Sequence, residues 1–408
     1  MNCRFCNSSL NVEFANLGSS PLANSFIKSE NFNLYEPFFP LEVFVCSKCF
    51  LVQLDEFENP SNIFSEYAYM SSFSNSWLNH IEEFVNTCIE KFDIKKDKQV
   101  IEIASNDGYL LQFFHKKDIK TLGIEPAQNV AKIAQEKNIE TITKFFSVET
   151  ANYLDSVGKK ADLLIAFNVL PHVPNLIDFI KGLKIALNKN GIIVIQFSAY
   201  LKELIENVEF DVIYHEHFSY FSLFTLDKIF TKNDLEIFDV EENKVHGGSM
   251  RLFIKHKNNT KFPITERKIE KLKEEEKFGL TNISTYKKFQ TDIITQKMKV
   301  WDFFIKSKSD NKIIVGYGAP AKGNTMLNYC GIGIDFLEYT VDKNPYKQGM
   351  FLPGSRIPIL NPEKIKETKP DYLLILPWNL KNEIIEQMSF IRDWGGKFVV
   401  LTPHVEIF

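Results

Sequence analysis

Two histidines, a carboxylate and a phenol occupy four consecutive positions, Tyr214, His215, Glu216 and His217. An imidazole titrates near neutrality, and with a carboxylate beside it can take a proton from a substrate. His215 and His217 stand at i and i+2, so they cannot share a helix face as the i, i+4 pair of a metal-binding helix does. Proton transfer therefore suits the cluster better than metal ligation. A second polar run follows at His246, Gly247, Gly248, Ser249 and Arg251, where paired glycines would let backbone approach a ligand closely. Local hydrogen bonding among polar side chains would use the same residues, and residue types alone do not separate the two readings.

Four of the six cysteines form two CxxC knuckles, Cys3 with Cys6 and Cys46 with Cys49, with 39 residues between them. Each knuckle puts two thiolates on one tight turn, and two knuckles complete the tetrahedral set that Zn²⁺ prefers. No His, Asp or Glu adjoins them to activate an open coordination position, so a structural zinc is expected. Cys88 and Cys330 read as ordinary buried residues.

Two loops have the form of nucleotide sites. The first follows the strand-like run 99–103 and reads Glu102, Ile103, Ala104, Ser105, Asn106, Asp107, Gly108. The next strand ends in Glu125-Pro126, and an acid about 20 residues beyond such a turn is positioned to meet ribose hydroxyls. The loop lacks the spaced glycines of a pyrophosphate cradle. It suits S-adenosylmethionine, with Glu102, Ala104, Asn106, Gly108, Glu125, Pro126 and the strand-end Asn168 as candidate contacts. The second loop, Gly316-Tyr317-Gly318-Ala319-Pro320-Ala321, satisfies G-x-G-x-x-A, and Asp342 ends the following strand. A phosphate could sit at the helix start beside Lys322, and NAD is the rival ligand, though Pro320 and Lys322 are unusual for it.

The elements that must position these residues are legible in outline. Continuous apolar strands at 99–103, 121–124, 162–167 and 191–197 alternate with helical stretches, which indicates a parallel sheet covered on both faces. A second such unit begins near 312, with strands at 312–316, 337–341, 371–376 and 397–401. The spacing of Trp77, Ile81, Phe84, Val85, Cys88 and Ile89 predicts a helix over 66–97. The charged stretch 264–306 reads as a helical arm with Ile283, Tyr286, Phe289, Ile293 and Trp301 on one face. The expected organisation is α/β throughout: a zinc-binding module at 1–65, a Rossmann-like methyl-donor domain at 66–263, a connecting arm at 264–310 and a second Rossmann-like domain at 311–408. With 408 residues, 44% of them hydrophobic and 25% charged, the chain can fold as two to three domains. A net charge of −4 offers no field for nucleic acid. No run approaches the roughly 18–20 apolar residues of a membrane span, and the first residues have no apolar secretion signal. A cytosolic monomer is expected.

In chain order, the knuckles, the Glu102–Leu110 loop, the run from Tyr214 to Ser222 with His246–Arg251, and Gly316–Asn324 together resemble the sugar C-methyltransferases of deoxysugar biosynthesis, the NDP-hexose 3-C-methyltransferase type. The segments Leu17–Asn24 and Tyr67–Ser72 add to the resemblance, which covers nearly the whole chain. It implies a structural zinc, S-adenosylmethionine in the central domain and a nucleoside-diphosphate 4-keto deoxysugar held by the C-terminal domain. A proton next to the ketone is lost, and the enolate takes the methyl group. On this sequence the resemblance makes His217 the base, with Glu216, Tyr214 and Tyr69 around the sugar. It makes Tyr67, His215, His246, Gly247, Gly248, Ser249, Arg251, Gly318, Lys322 and Asn324 the contacts to the nucleotide sugar. Two departures stand out: Ala104-Ser105 replaces a Gly-Cys or Gly-Ser pair, and scarce Arg leaves Lys to meet the pyrophosphate. An O-methylated sugar is the alternative product. An NAD-dependent sugar oxidoreductase and a non-enzymatic zinc adaptor are the other classes considered.

Overall fold

A computed structural model describes residues 1–59, 70–73, 75–243 and 248–408. Strands run in chain order as β1 Val12–Ser20, β2 Phe39–Val45, β3 Val52–Leu54, β4 Gln99–Ile103, β5 Lys120–Ile124, β6 Thr141–Ile142, β7 Ala161–Phe167, β8 Leu187–Ser198, β9 Ser219–Tyr220, β10 Leu235–Asn243, β11 Ser249–His256, β12 Ile314–Tyr317, β13 Thr340–Val341, β14 Ile359–Leu360, β15 Tyr372–Ile375, β16 Lys397–Val400 and β17 Glu406–Ile407. They form three sheets, ordered β1-β2-β3-β9, β10-β11-β8-β7-β4-β5-β6 and β14-β13-β12-β15-β16-β17.

The central sheet is parallel from β6 to β8, with Ile101 level with Leu122 on one side and Leu164 on the other. Alternate side chains along a strand face opposite layers. Val100, Leu163 and Val194 meet the helix Asn75–Phe92, whose Trp77, Ile81, Phe84 and Cys88 are buried. Ile101, Leu164 and Ile193 face the opposite layer, which holds the helices Leu176–Ala186 and Leu223–Lys232. Two corrections apply to the expected layout. The helix spans a shorter stretch than 66–97: Asp93 adopts a left-handed φ of 53°, and the Ile94 N–H turns back to the Ile89 carbonyl at 3.1 Å. The sheet is also not wholly parallel, because β11 runs antiparallel between β8 and β10.

The charged arm is two helices, Glu266–Phe278 and Ile283–Ser309, separated at Gly279. Tyr286, Phe289 and Ile293 are buried as the spacing predicts, and Phe289 stacks on Phe14 of β1 at 4.5 Å. Trp301 is only half-buried, because the face has rotated onto Val300, Phe303 and Phe304. One apolar core thus runs from the N-terminal sheet through residues 199–220 and the long helix into the C-terminal sheet.

β9 positions the histidine cluster. It leaves the central layer and pairs antiparallel with β3 of the N-terminal sheet, Gln53 opposite Ser219 and Val52 opposite Tyr220. Tyr214–His217 therefore sits where the three sheets' domains meet.

Candidate active site

A cavity of about 470 Å³ opens at the carboxyl ends of β4, β5 and β7, the edge where parallel α/β sheets bind ligands. Ala104, Asn106, Glu125, Pro126 and Asn168 line it, and Trp77, Phe145 and Phe146 add aromatic wall. Ala104, Asn106 and Asn168 all adopt left-handed φ, between 49° and 55°, which turns the chain sharply at each strand end. Gly108 has φ 76°, and a Cβ there would lie 2.5 Å from Ile139 Cδ1. It serves the loop's packing and does not line the cavity. Glu102 lies beneath the loop, fully buried, and burial with Asp107 and Glu125 nearby holds its carboxyl well above the usual range. Glu125 takes the Asn106 N–H on Oε2 at 2.9 Å and the Ala127 N–H on Oε1 at 2.8 Å. Its carboxylate is thereby rigid at the cavity wall.

The loop is also held from the N-terminal side. The Ser71 N–H donates to Asn106 Oδ1 at 3.0 Å, and the Ser72 hydroxyl donates to Asp107. Of the expected residues, Tyr67, Tyr69, His246 and Gly247 lie outside the described residues.

His217 is 4% exposed, and both ring nitrogens are engaged. Nδ1 stands 2.8 Å from the Val212 carbonyl, and Nε2 stands 2.8 Å from the Tyr214 hydroxyl. A carbonyl can only accept, so Nδ1 carries the hydrogen and Nε2 keeps a lone pair. Burial, followed by the His172 ring, pushes the His217 pKa well below that of a free imidazole. His172 is the link to the cavity. It lines the cavity wall, and its ring stands 4.7 Å from that of His217. Burial brings its pKa down to about 4. The Phe218 N–H bonds to the Pro171 carbonyl at 2.8 Å, which brings the two histidine-bearing turns together.

Glu216 is buried and accepts from Asn24 Nδ2 at 2.7 Å, and burial raises its pKa to about 7. His215 points to the N-terminal module, with Nε2 3.1 Å from the Pro40 carbonyl and Phe39 and Phe57 edge-on. Asn24 and its neighbour thus explain the Leu17–Asn24 segment: Asn324 Nδ2 donates to the Ala23 carbonyl at 2.6 Å, so one turn holds Glu216 and the C-terminal domain together.

The remaining expected contacts are placed elsewhere. Arg251 is buried in the central sheet, donating to Gln196 Oε1 at 2.9 Å and Glu241 Oε2 at 3.2 Å, with its guanidinium over Phe84. Gly248 stands against the Glu203 carboxylate, and Ser249 pairs with Ser198 on β8. Gly318 packs on Pro377, and Lys322 lies 4.7 Å from the Trp378 ring centre. Asp342, which ends the strand after the second glycine loop, accepts the Ala319 N–H of that loop at 2.8 Å. Residue types missed His172, Asn24 and Ser71. His172 carried one signal, a Pro-His pair three residues beyond a strand-end Asn.

The knuckles converge. All four Sγ atoms lie within 4.8 Å of one another, and Cys3–Cys49 and Cys6–Cys46 approach to 3.5 Å. Thiolates about 2.3 Å from a tetrahedral Zn²⁺ stand about 3.8 Å apart, so the set fits the ion. Gln53 supports it, donating to Cys3 Sγ at 3.4 Å and accepting the Arg4 N–H at 2.9 Å. The donor cavity suits S-adenosylmethionine: it has the volume for a nucleoside, a fixed carboxylate at Glu125, and a buried Asn168 Oδ1 with no hydrogen-bond partner among the described residues.

A sheet of this order with an acid-tipped second strand and a ligand cavity at its carboxyl edge defines a Rossmann-like methyltransferase. Family models agree along the chain: a zinc binding domain at residues 3–64, a methyltransferase domain at 77–240 and a C-methyltransferase C-terminal domain at 244–403. The chain is 33% identical to C-methyltransferase NovU of Streptomyces niveus over 405 residues, 99% of this chain and 96% of that protein. It belongs to this family of C-methyltransferases and is an S-adenosylmethionine-dependent enzyme with a zinc-binding N-terminal module. Among solved structures, it is similar to an S-adenosylmethionine-dependent methyltransferase from Anabaena variabilis (17% identity, TM-score 0.39, covering 50% of this chain and 99% of that one). Another from Clostridium acetobutylicum shares 11% identity with a TM-score of 0.36, covering 44% and 92%. No helix among the described residues is long and apolar enough to cross a membrane.

Proposed function

We propose that the enzyme methylates a carbon next to the ketone of a nucleoside-diphosphate 4-keto deoxysugar. The observation that carries this reading is His217: a buried, neutral imidazole with Nε2 at the Tyr214 hydroxyl and its ring 4.7 Å from that of His172, which lines the donor cavity. A carbon acid needs such a base, because a protonated histidine could not accept the proton. When bound, S-adenosylmethionine supplies an electrophilic methyl group. Glu125 takes its ribose hydroxyls, and Ala104, Asn106, Pro126 and Asn168 hold the rest. The sugar's C–H proton passes to His217 Nε2, and the C–H electron pair becomes the enolate. Tyr214 turns its hydroxyl from Nε2 to the enolate oxygen and, with Tyr69, holds the negative charge. Glu216 keeps the turn in place through Asn24, and Tyr67, His246 and Gly247 belong to the sugar's surroundings. The six cysteines form no disulfide, which suits a reducing compartment such as the cytosol.

The test is solvent exchange. A nucleotide 4-keto sugar incubated with enzyme in D₂O, without methyl donor, should gain deuterium beside the ketone. His217→Asn should abolish the exchange while still binding the sugar. Exchange that persists in the variant would remove the role from His217.

A further inference from the structure

The second glycine loop remains without a task in this scheme, and its surroundings suggest one. The segment Glu209–Ile213 leads directly into the histidine cluster and is fastened to the C-terminal domain. Trp378 Nε1 donates to Asp211 Oδ2 at 2.7 Å, and Thr325 Oγ1 donates to the Ile213 carbonyl at 3.1 Å. Lys322, over the Trp378 ring, turns its charge toward Asp211 and Glu209. Asp211 is the middle residue of the 3₁₀ turn Phe210–Val212, and Val212, between the two anchored residues, takes the His217 Nδ1 hydrogen on its carbonyl at 2.8 Å. Asp211 is 1% exposed: Oδ2 takes the Trp378 hydrogen bond, Oδ1 is buried with no hydrogen bond among the described residues, and burial raises its pKa.

We propose that Asp211 is a positioning residue for His217: clamped by Trp378 and faced by Lys322, it fixes the turn whose Val212 carbonyl selects the base's tautomer. In nucleophile–base–orienter sites a third group holds the imidazole directly. Here the orienter is a backbone carbonyl, and the C-terminal domain holds that carbonyl from behind. The G-x-G-x-x-A loop therefore acts on the base through Lys322 and the helix Ala321–Cys330 that carries Thr325. The inference rests on His217 being the base, but its first readout does not.

The experiment is ¹⁵N NMR of the histidine rings in the full-length protein, with His217 assigned by His217→Asn, alongside steady-state kinetics. Wild type should show His217 protonated on Nδ1 alone. Trp378→Phe removes the donor to Asp211 while keeping an aromatic ring beneath Lys322. It should give mixed tautomers and lower kcat at least about tenfold, with the sugar KM changed by less than about twofold, since a small misplacement of a base costs this much or more. Asp211→Asn keeps an acceptor for Trp378 but loses the charge that Lys322 faces, and should shift the tautomer in the same direction as Trp378→Phe but by less. Thr325→Val, a milder change at the neighbouring anchor, should move tautomer and kcat in the same direction. A single Nδ1-protonated tautomer with unchanged kcat in folded Trp378→Phe and Thr325→Val would overturn the proposal. A loss confined to KM would also overturn it, placing the loop on the substrate. If His217→Asn turns over normally, the base assignment fails, and the tautomer result still decides the positioning role.

Discussion

Burial, the His172 ring and the Lys322 charge all favour the neutral form of His217, against the pull of the Val212 carbonyl. A base so depressed stays ready as pH falls and is lost only when pH passes its lowered pKa. The acid limb of the kcat profile should therefore have its midpoint below 6.5, the value of an unperturbed imidazole. A midpoint at or above 7 would contradict the burial argument. His217→Asn should keep both ligands bound while kcat falls by at least about 10², the usual contribution of a general base. Glu125 has its two oxygens fixed by the Asn106 and Ala127 amides, so in the proposed donor complex its remaining lone pairs would meet a ribose without reorganisation. Glu125→Ala should weaken donor binding by about 1.5–3 kcal/mol, the scale of a charge-assisted hydrogen bond. Calorimetry is the check, and unchanged affinity would show that the ribose lies elsewhere. The histidine pair was legible because His-Glu-His is a rare concentration of titratable groups. His172 was not, because a lone histidine carries no pattern until the fold sets it against His217.

The donor loop shows how strand ends become a site. β4 and β7 each stop in a left-handed residue, Ala104 and Asn168, and both open onto the same cavity. Gly108 closes the turn against Ala134 of the helix Gln128–Glu136 and against Ile139 beyond it, where an added Cβ would force the Ile139 side chain to shift. Gly108→Ala should destabilise the protein by about 1–3 kcal/mol, through positive φ and overpacking together. Thermal unfolding measures it, and an unchanged midpoint would mean the loop relaxes freely. The parallel strands were legible because each is a continuous apolar run. β10 and β11 were not, because buried Asp239, Arg251 and Lys255 break their alternation. Those charges are satisfied only in the fold: Asp239 by Arg267 and Lys91, Arg251 by Glu241 and Gln196, Lys255 by Glu236. β9 was hidden for a different reason. Two residues long, its pairing with β3 depends on a partner more than 160 residues earlier in the chain, Val52 against Tyr220.

Across the whole molecule, the zinc module reaches the active site by short paths. Arg4, between two cysteines, donates through Nη1 to the Phe218 carbonyl at 2.9 Å, one residue from His217. Thr225 Oγ1 ties the Cys49 carbonyl to the helix Leu223–Lys232 at 3.1 Å. Metal analysis should find about one Zn²⁺ per chain, and Cys46→Ser should lose it along with stability. Arg4→Ala should retain the metal yet lower kcat, because only the link to Phe218 is cut. Full activity in that variant would disconnect the module from the chemistry. The knuckles were legible as a metal site from spacing alone. Their nearness to His217 was not, since it arises from β9 crossing to the N-terminal sheet. In the proposed chemistry the methyl group goes to a carbon made nucleophilic by proton loss. The most direct measurement is NMR of the product formed from ¹³C-methyl S-adenosylmethionine and a nucleotide 4-keto sugar. The expected product has the labelled methyl carbon bonded to the ring carbon beside the ketone, with the proton of that carbon gone. A labelled methoxy group, with that proton intact, would contradict it.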